Sequence, residues 1–307
     1  MSVSSVDSSP HQTPERFTVP LDDGVQAGWR WRSPGAPPLL FCHATGFCAS
    51  TYQRLLAPLA GRFDVYALDL RGHGRTQLPA DPKRLRSWSV YARDIAAFLD
   101  SRDRESWVLA GHSMGAAASL MAATGRRDVA ALALIEPVAL PLPLIWIVHS
   151  PLWAICKHRF PIVRGALRRR DRWPDRDEAC AIYARKPPFA RWANGVLEDY
   201  LLDGLITEEG GDVRLACAPS WEAATFAAQA NDLWRAAAVA PAPMAVLAAR
   251  HRSSTLMGRA RQRFRRLGAD LIDLEGVTHL APMEDPETVA AGLAEAVGRT
   301  VRVREES

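Results

Sequence analysis

Gly111-His112-Ser113-Met114-Gly115 is the most informative stretch of this chain. It directly follows the apolar run Trp107 to Ala110 and directly precedes a run of small residues, Ala116 to Ala123. A Gly-x-Ser-x-Gly between a strand and a helix makes a sharp turn, in which the glycines avoid steric conflict and the serine hydroxyl is held out at the helix amino terminus. This context predicts that Ser113 is a nucleophile rather than a structural serine.

Short apolar runs bounded by turn residues recur along the chain and alternate with helical patterns. Strands are predicted for Pro38 to Cys42, Val65 to Leu70, Trp107 to Ala110, Ala131 to Ile135, Met244 to Ala248 and Asp270 to Leu274. Amphipathic helices are predicted for Ser89 to Ser101 and Met114 to Thr124. Such runs are typical of buried strands in a mostly parallel sheet, and the βαβ alternation predicts an α/β protein.

The alternation stops between Pro137 and Ala240. This segment holds six of the ten tryptophans and shows no clear strand spacing, but it contains helical runs such as Asp177 to Ala184 and Ala223 to Ala230. We interpret it as a helical insertion over the carboxyl ends of the strands, where ligands of open α/β sheets bind. The sheet is expected to resume near Met244.

Composition and charge exclude several classes of protein. A chain of 307 residues with 48% hydrophobic and 23% charged residues is neither disordered nor collagen-like. Its 38 Lys and Arg against 34 Asp and Glu give a net charge of only +4, so nucleic acid is not an expected partner. The basic residues do cluster, in Lys157 to Arg176 and in Arg250 to Arg266. We interpret both clusters as solvated helix faces paired with acids. The alternatives are an entrance to the helical insertion that attracts anions, or contact with an acidic membrane surface.

The cellular location is inferred from the cysteines and the amino terminus. Five cysteines are an odd number and show no metal-type spacing, which favours reduced thiols and a cytoplasmic protein. The first sixteen residues lack the apolar segment of a signal peptide and are expected to form a loose tail. Val129 to Val148 has the length of a membrane span, but its prolines and Glu136 favour a buried strand followed by an apolar loop.

A serine hydroxyl needs a base that takes its proton and a third group that orients the base. Among the eight histidines, His279 is placed best, because it follows the predicted strand Asp270 to Leu274 by a short loop. A histidine after the last strand can reach a serine on a middle strand. The alternative for His279 is a solvent-exposed loop histidine.

These features resemble the α/β-hydrolase fold superfamily from about Pro38 to Gly298. The resemblance rests on four motifs in order: His43-Ala44-Thr45-Gly46-Phe47, Asp69-Leu70-Arg71-Gly72-His73-Gly74, the serine turn, and the late His279. It implies a core formed by residues 17–136 and 241–307 and a helical cap, or lid, formed by residues 137–240. It also implies that His43 pins its loop, that Asp69 bonds loop amides in a structural turn, and that His112 packs rather than contacts substrate.

The acid of the triad departs from the common family pattern. Family members usually carry it just after the strand that follows the cap, but residues 248–255 contain no carboxylate. A known family variant places it one strand earlier, where this chain has Glu136. A glutamate ending so apolar a strand is costly to bury unless a partner such as an imidazole bonds it. Glu136 is therefore the predicted acid, with Asp273, Glu284 and Asp285 as competitors.

The oxyanion of the tetrahedral intermediate needs two donors. One is expected to be the backbone N–H of Met114. The resemblance to the family's His-Gly-x motif points to Thr45 as the second donor, and Phe47 is the alternative because Ala44 stands where glycine is usual.

The function predicted from these residues is a cofactor-free, metal-free serine hydrolase of the carboxylesterase type, acting on a small, largely apolar substrate. Thioesterase, lactonase or carbon–carbon bond hydrolase activity are alternatives, as is a non-catalytic ligand-binding protein of the same fold. Ser113 argues against dehalogenase and epoxide-hydrolase chemistry, which uses a carboxylate nucleophile in this fold. The apolar run Leu140 to Val148 is interpreted as pocket lining above Ser113, with membrane contact as the alternative. No protein partner can be inferred.

Overall fold

The computed structural model describes residues 13–256 and 259–305. The strands are β1 Glu15–Leu21, β2 Gly24–Trp31, β3 Pro38–Cys42, β4 Asp64–Asp69, β5 Trp107–His112, β6 Val129–Ile135, β7 Arg172–Trp173, β8 Leu205–Thr207, β9 Val213–Leu215, β10 Met244–Ala249 and β11 Asp270–Leu274. The α-helices are α1 Gln53–Leu56, α2 Ser89–Asp100, α3 Met114–Ala123, α4 Leu142–His149, α5 Pro151–Cys156, α6 Pro161–Leu167, α7 Arg176–Ala184, α8 Val196–Gly204, α9 Pro219–Ala227, α10 Leu233–Ala238, α11 Arg259–Arg266, α12 Ala281–Glu284 and α13 Pro286–Glu305. Short 3-10 helices span Ala49–Tyr52, Ala57–Leu59, Lys157–Arg159 and Pro187–Arg191.

In the described part of the chain, eight strands form one sheet in the order β1-β2-β4-β3-β5-β6-β10-β11. Strands β4, β3, β5, β6, β10 and β11 are parallel to their neighbours, whereas the β1–β2 and β2–β4 pairs are antiparallel. Strands β3, β4, β5, β6 and β10 are buried along their whole length, as expected where helices cover both faces of a parallel sheet. The predicted α/β fold class with a mostly parallel sheet is confirmed.

The six predicted strands all form, with ends that differ from the predicted ones by at most two residues. The amino-terminal hairpin was not predicted. It begins at Glu15, inside the expected loose tail of residues 1–16, and its two strands are joined by Asp22 and Asp23. The rest of that tail, residues 1–12, lies outside the described residues.

Residues 137–240 are not purely helical. They contain α4 to α10 and also the three-stranded antiparallel sheet β7-β9-β8. These strands are two or three residues long, too short to produce a recognisable alternation of polar and apolar residues. The predicted helix Ala223 to Ala230 belongs to α9, which ends at Ala227.

The apolar stretch from Val129 to Val148 forms β6 followed, after a short loop, by α4. Among residues 13–256 and 259–305, the structure contains no helix with both the length and the apolar character needed to cross a bilayer.

Candidate active site

Ser113 lies in the turn between β5 and α3, at the carboxyl edge of the sheet. Its backbone is left-handed, with φ 57° and ψ −115°, a strained conformation for a residue with a side chain. The Ser113 N–H donates to the carbonyl of Ile135 at 2.9 Å, which fixes the turn against β6. A Cβ on Gly115 would lie 2.2 Å from the carbonyl oxygen of Cys42, so only glycine lets α3 approach β3 this closely.

The structure brings Ser113, His279 and Glu136 together. His279 lies in the loop between β11 and α12, with its Nε2 atom 3.0 Å from Ser113 Oγ and its Nδ1 atom 3.0 Å from Glu136 Oε2. An ionised carboxylate only accepts hydrogen bonds, so the imidazole proton belongs on Nδ1. Nε2 is then free to accept the proton of the serine hydroxyl, which is the geometry required of a general base.

Glu136 directly follows β6 and is completely buried. Its Oε1 accepts the backbone N–H of Ala249 at 2.8 Å, and its Oε2 accepts the hydroxyls of Ser253 at 2.7 Å and Thr255 at 3.0 Å. Burial acts to raise the pKa of Glu136, but hydrogen bonding and charge interaction with His279, together with the other donors, hold this pKa below its ordinary value. The carboxylate is thus stabilised in its ionised form.

The three competing carboxylates are occupied elsewhere. Asp273 forms an ion pair with Arg261. Glu284 accepts the backbone N–H and the hydroxyl of the residue before His279, at 2.7 and 2.8 Å. Asp285 accepts a backbone N–H three residues further on, at 3.1 Å. Among the described residues, Glu136 is the carboxylate that hydrogen-bonds the His279 ring.

The loop after β3 carries Thr45 and Phe47, the two candidates for the second oxyanion donor. The N–H of Ala44 donates to a tyrosine hydroxyl at 3.0 Å, that of Gly46 to His73 Nε2 at 3.1 Å, and that of Phe47 to the Ala44 carbonyl at 3.2 Å. The Thr45 N–H has no hydrogen-bond partner among the described residues. The N–H of the alternative donor Phe47 is therefore already used within the loop.

A chain of hydrogen bonds connects this loop to the histidine loop. Tyr52 accepts the Ala44 N–H, and its hydroxyl lies 2.9 Å from His112 Nδ1. His112 Nε2 lies 2.8 Å from the carbonyl oxygen of His279 and must donate to it, so His112 Nδ1 accepts the Tyr52 proton. Burial, reinforced by the nearby charge of His279, lowers the pKa of His112 well below its usual value and keeps the ring neutral.

His43 and Asp69 have the positions that the resemblance implied. His43 Nε2 accepts the N–H of Leu70 at 2.9 Å and so ties the β3 loop to the β4 loop. The two carboxylate oxygens of Asp69 accept the backbone N–H groups of Ala49 and Arg75 at 2.8 and 2.9 Å. Both side chains support loops and neither is hydrogen-bonded to Ser113.

A buried charged network of the 137–240 segment packs on the oxyanion loop, and no pattern in the sequence indicates it. Arg169 donates to both oxygens of Glu222, at 2.9 and 2.8 Å, and to the hydroxyls of Tyr183 and Tyr200. A Cβ on Gly46 would lie 2.6 Å from Glu222 Oε1. Arg169 belongs to the first basic cluster and is paired with an acid, but it lies after α6 and is mostly buried, so it is not part of the solvated helix face that we expected.

Aromatic side chains cluster beside the oxyanion loop. The Phe47 ring packs against Trp192 and Tyr200, with centroid distances of 5.8 and 5.6 Å. In the run Leu140 to Val148, which we interpreted as pocket lining, Trp146 is 81% exposed and Val148 is buried.

Comparison with curated proteins gives partial matches. The 2-(acetamidomethylene)succinate hydrolase of Mesorhizobium japonicum is 34% identical over 99 residues, which cover 32% of this chain and 34% of that protein. The dihydrolipoyllysine-residue acetyltransferase component of the acetoin cleaving system of Cupriavidus necator is 32% identical over 117 residues, covering 38% of this chain and 30% of that protein. The chain thus spans about a third of the length of these curated relatives.

Solved structures match along nearly the whole chain. The crystal structure of E-2-(acetamidomethylene)succinate hydrolase superposes with a TM-score of 0.75 at 20% identity, covering 93% of this chain and 100% of that one. The thioesterase domain from the curacin biosynthetic pathway gives a TM-score of 0.68 at 18% identity, covering 92% of this chain and 99% of that domain. At such identities the likeness shows the fold. Residues 39–292 match the model of the alpha/beta hydrolase family. Since that match covers most of the chain and agrees with the sheet and the serine turn, the chain belongs to the alpha/beta hydrolase family.

Proposed function

We propose that the chain is a cofactor-free serine hydrolase that cleaves an ester or related acyl bond of a small, largely apolar substrate. Membership of a family of hydrolases supports the reaction class. The observation that carries the finer proposal is the position of His279, 3.0 Å from both Ser113 Oγ and Glu136 Oε2. This is the geometry of a nucleophile, a base and an orienting acid.

The first half of the reaction acylates the enzyme. Ser113 Oγ attacks the carbonyl carbon of the substrate while His279 Nε2 takes the hydroxyl proton. The negative charge that develops on the carbonyl oxygen is stabilised by the backbone N–H groups of Thr45 and Met114. His279 then gives its proton to the leaving group as the bond to the carbonyl carbon breaks, which leaves an acyl ester on Ser113.

The second half returns the enzyme to its starting state. His279 Nε2 takes a proton from a water molecule, whose oxygen attacks the acyl carbon. The tetrahedral intermediate collapses with release of the acid, and the proton returns to Ser113 Oγ. Glu136 stays ionised throughout and stabilises the imidazolium form of His279.

The partly exposed rings of Phe47 and Trp192 support an apolar acyl or aryl group in the substrate. Their place beside the oxyanion loop is near the reacting carbonyl of the proposed mechanism. A cytoplasmic location is part of the proposal, and the odd number of cysteines supports it.

The test is covalent labelling with a fluorophosphonate, followed by turnover of p-nitrophenyl esters of increasing chain length beside acyl thioesters and lactones. We expect labelling and turnover in the wild type and neither in Ser113→Ala. Ser119→Ala is the matched control, because Ser119 lies on the same helix with its hydroxyl bonded to a backbone carbonyl. A folded wild-type protein that takes no label would favour the non-catalytic, ligand-binding alternative.

The substrate panel separates the hydrolytic alternatives. Preference for thioesters or lactones over esters of the same acyl group would assign the thioesterase or lactonase reaction to the same three residues. The amide-type substrate named for the Mesorhizobium relative belongs in the panel for the same reason.

A further inference from the structure

Large apolar side chains are exposed together on one part of the 137–240 segment. Of the nine exposed large hydrophobic residues in the described chain, seven lie between Trp146 and Leu167, on α4 to α6 and the turn before α6. Trp146 is 81% exposed, Ile155 70%, Leu152 68% and Ile162 56%. We call this the α4–α6 surface. Exposed large apolar side chains concentrated in one short segment indicate an interaction site.

The opposite faces of the same helices are packed. The Trp153 indole donates to the carbonyl of Ala227 at 2.8 Å and its ring stacks near Phe160, with centroids 4.8 Å apart. Val163 and Ala166 of α6 are buried against α9. The helices are therefore seated on the protein by one face, and the exposed side chains belong to the other.

The same surface carries positive charge without counter-charge. No Asp or Glu occurs between Pro137 and Arg170 in the sequence. Within the described residues, Lys157, Arg159 and Arg164 form no ion pair, and neither does Arg168. The other arginines of the cluster are engaged: Arg170 pairs with Glu178, Arg172 with Glu208, and Arg176 donates to two backbone carbonyls.

We propose that the α4–α6 surface docks on an anionic lipid bilayer. Exposed apolar side chains, led by Trp146, would enter the boundary between headgroups and acyl chains, where tryptophan is favoured. The four unpaired cations would lie over acidic headgroups. A second copy of this chain fits less well, because its equally basic surface would face the first one with like charge.

Docking would place the active site beside the interface. Arg169 lies two residues after the end of α6, and its partner Glu222 approaches the oxyanion loop at Gly46. The docking itself does not depend on Ser113 chemistry, so it can fail or hold independently of the proposed hydrolase activity.

The experiment is co-sedimentation of the full chain with vesicles of phosphatidylcholine plus phosphatidylglycerol, and with phosphatidylcholine alone, at low and high ionic strength. We expect binding to the anionic vesicles that weakens with salt. The apolar variant Trp146→Ser/Ile155→Ser should bind weakly in all conditions. Both residues are exposed, so the thermal unfolding midpoint should stay near that of the wild type.

The charge variant replaces Lys157, Arg159, Arg164 and Arg168 by glutamine. Each cation near an acidic surface contributes roughly fivefold to affinity, so this variant should lose affinity by roughly 600-fold, together with most of its salt dependence. The matched control likewise replaces four exposed arginines of the second basic cluster by glutamine, namely Arg252, Arg259, Arg265 and Arg266. It should bind the anionic vesicles as the wild type does.

Three results would overturn the proposal. The wild type could sediment equally with neutral and anionic vesicles. The control variant could lose as much binding as the charge variant, which would reduce the effect to overall charge. Finally, ultracentrifugation could show that the wild type is a dimer and the Trp146→Ser/Ile155→Ser variant a monomer, while vesicle binding is unchanged. The α4–α6 surface would then be an interface between two copies of this chain.

Discussion

Replacing Glu136 by glutamine tests the assignment of the acid with the least change in shape. If the amide oxygen accepts the Ala249 N–H as Oε1 does now, the amide NH₂ takes the place of Oε2 and faces His279 Nδ1. An NH₂ group can only donate, so Nδ1 must accept and the imidazole proton moves to Nε2. Nε2 then presents a proton to Ser113 Oγ and cannot take one.

The loss should appear in kcat. In a serine triad, this tautomer error costs about 10⁴ in kcat, or about 5 kcal/mol of transition-state stabilisation. KM should change little, because Glu136 is fully buried and touches no substrate. Stability should fall by only about 1–3 kcal/mol, since the Ser253 and Thr255 hydroxyls can turn to accept from the new amide.

The assay is steady-state hydrolysis of the best p-nitrophenyl ester, with the rate of fluorophosphonate labelling as a second readout and urea unfolding as the check on folding. Asp273→Asn is the control, because it removes a competing carboxylate from an ion pair with Arg261 and should leave turnover unchanged. Near-wild-type kcat in Glu136→Gln together with a collapse in Asp273→Asn would refute the reasoning and move the acid to β11.

Three further predictions follow from the surroundings of the site. Tyr52→Phe leaves the His112 Nδ1 atom without its donor and should lower the free energy of urea unfolding by about 1–3 kcal/mol and also lower kcat. If both the unfolding free energy and kcat are unchanged, this chain of hydrogen bonds does not hold the two loops in place. Gly46→Ala puts a Cβ 2.6 Å from Glu222 Oε1 at a φ of 81° and should displace the oxyanion loop, lowering kcat by about 10²-fold, the effect of one lost oxyanion donor, and this fails if the variant is fully active. Burial acts to raise the pKa of Asp203, but hydrogen bonds from two arginines and an indole hold it below its usual value. The stability that Asp203 contributes is therefore complete above its usual pKa and is lost as the pH falls through its folded-state pKa. Asp203→Asn should be less stable at neutral pH and should show a flatter decline of the unfolding free energy in acid.

The central strands could be predicted because burial on both faces leaves a plain mark on the sequence. Strands β3 and β11 have the predicted ends, and β5 and β6 extend the predicted runs by two residues. The edge hairpin was not predicted, because β1 is mainly exposed and its residues are of mixed polarity. Its connection, Asp22-Asp23 followed by Gly24, is rich in turn-forming residues that could have identified it.

The residues of the proposed catalytic site could be predicted because each follows a strand that the sequence indicates clearly. Ser113, Glu136 and His279 come after β5, β6 and β11, whose carboxyl ends share one edge of the sheet. Tyr52 and Arg169 could not be found in this way. Tyr52 bonds a histidine 60 positions away, and Arg169 bonds a glutamate 53 positions away. The residues next to a tyrosine in an apolar stretch, or next to one arginine among many, do not indicate such a distant contact.

The position of the acid follows from the order of the strands. Strands β6 and β10 are neighbours, with Ile135 beside Leu247, so a carboxylate after either strand ends near the same histidine loop. The end of β10 and the loop after it, where the family usually carries the acid, here supply three hydrogen-bond donors to Glu136: the backbone N–H of the last residue of β10 and two hydroxyls of the loop. A buried carboxylate needs such donors to remain ionised. The segment that has no carboxylate of its own thus stabilises the carboxylate after the neighbouring strand, and Glu136 and its donors form one hydrogen-bonded unit across two adjacent strands.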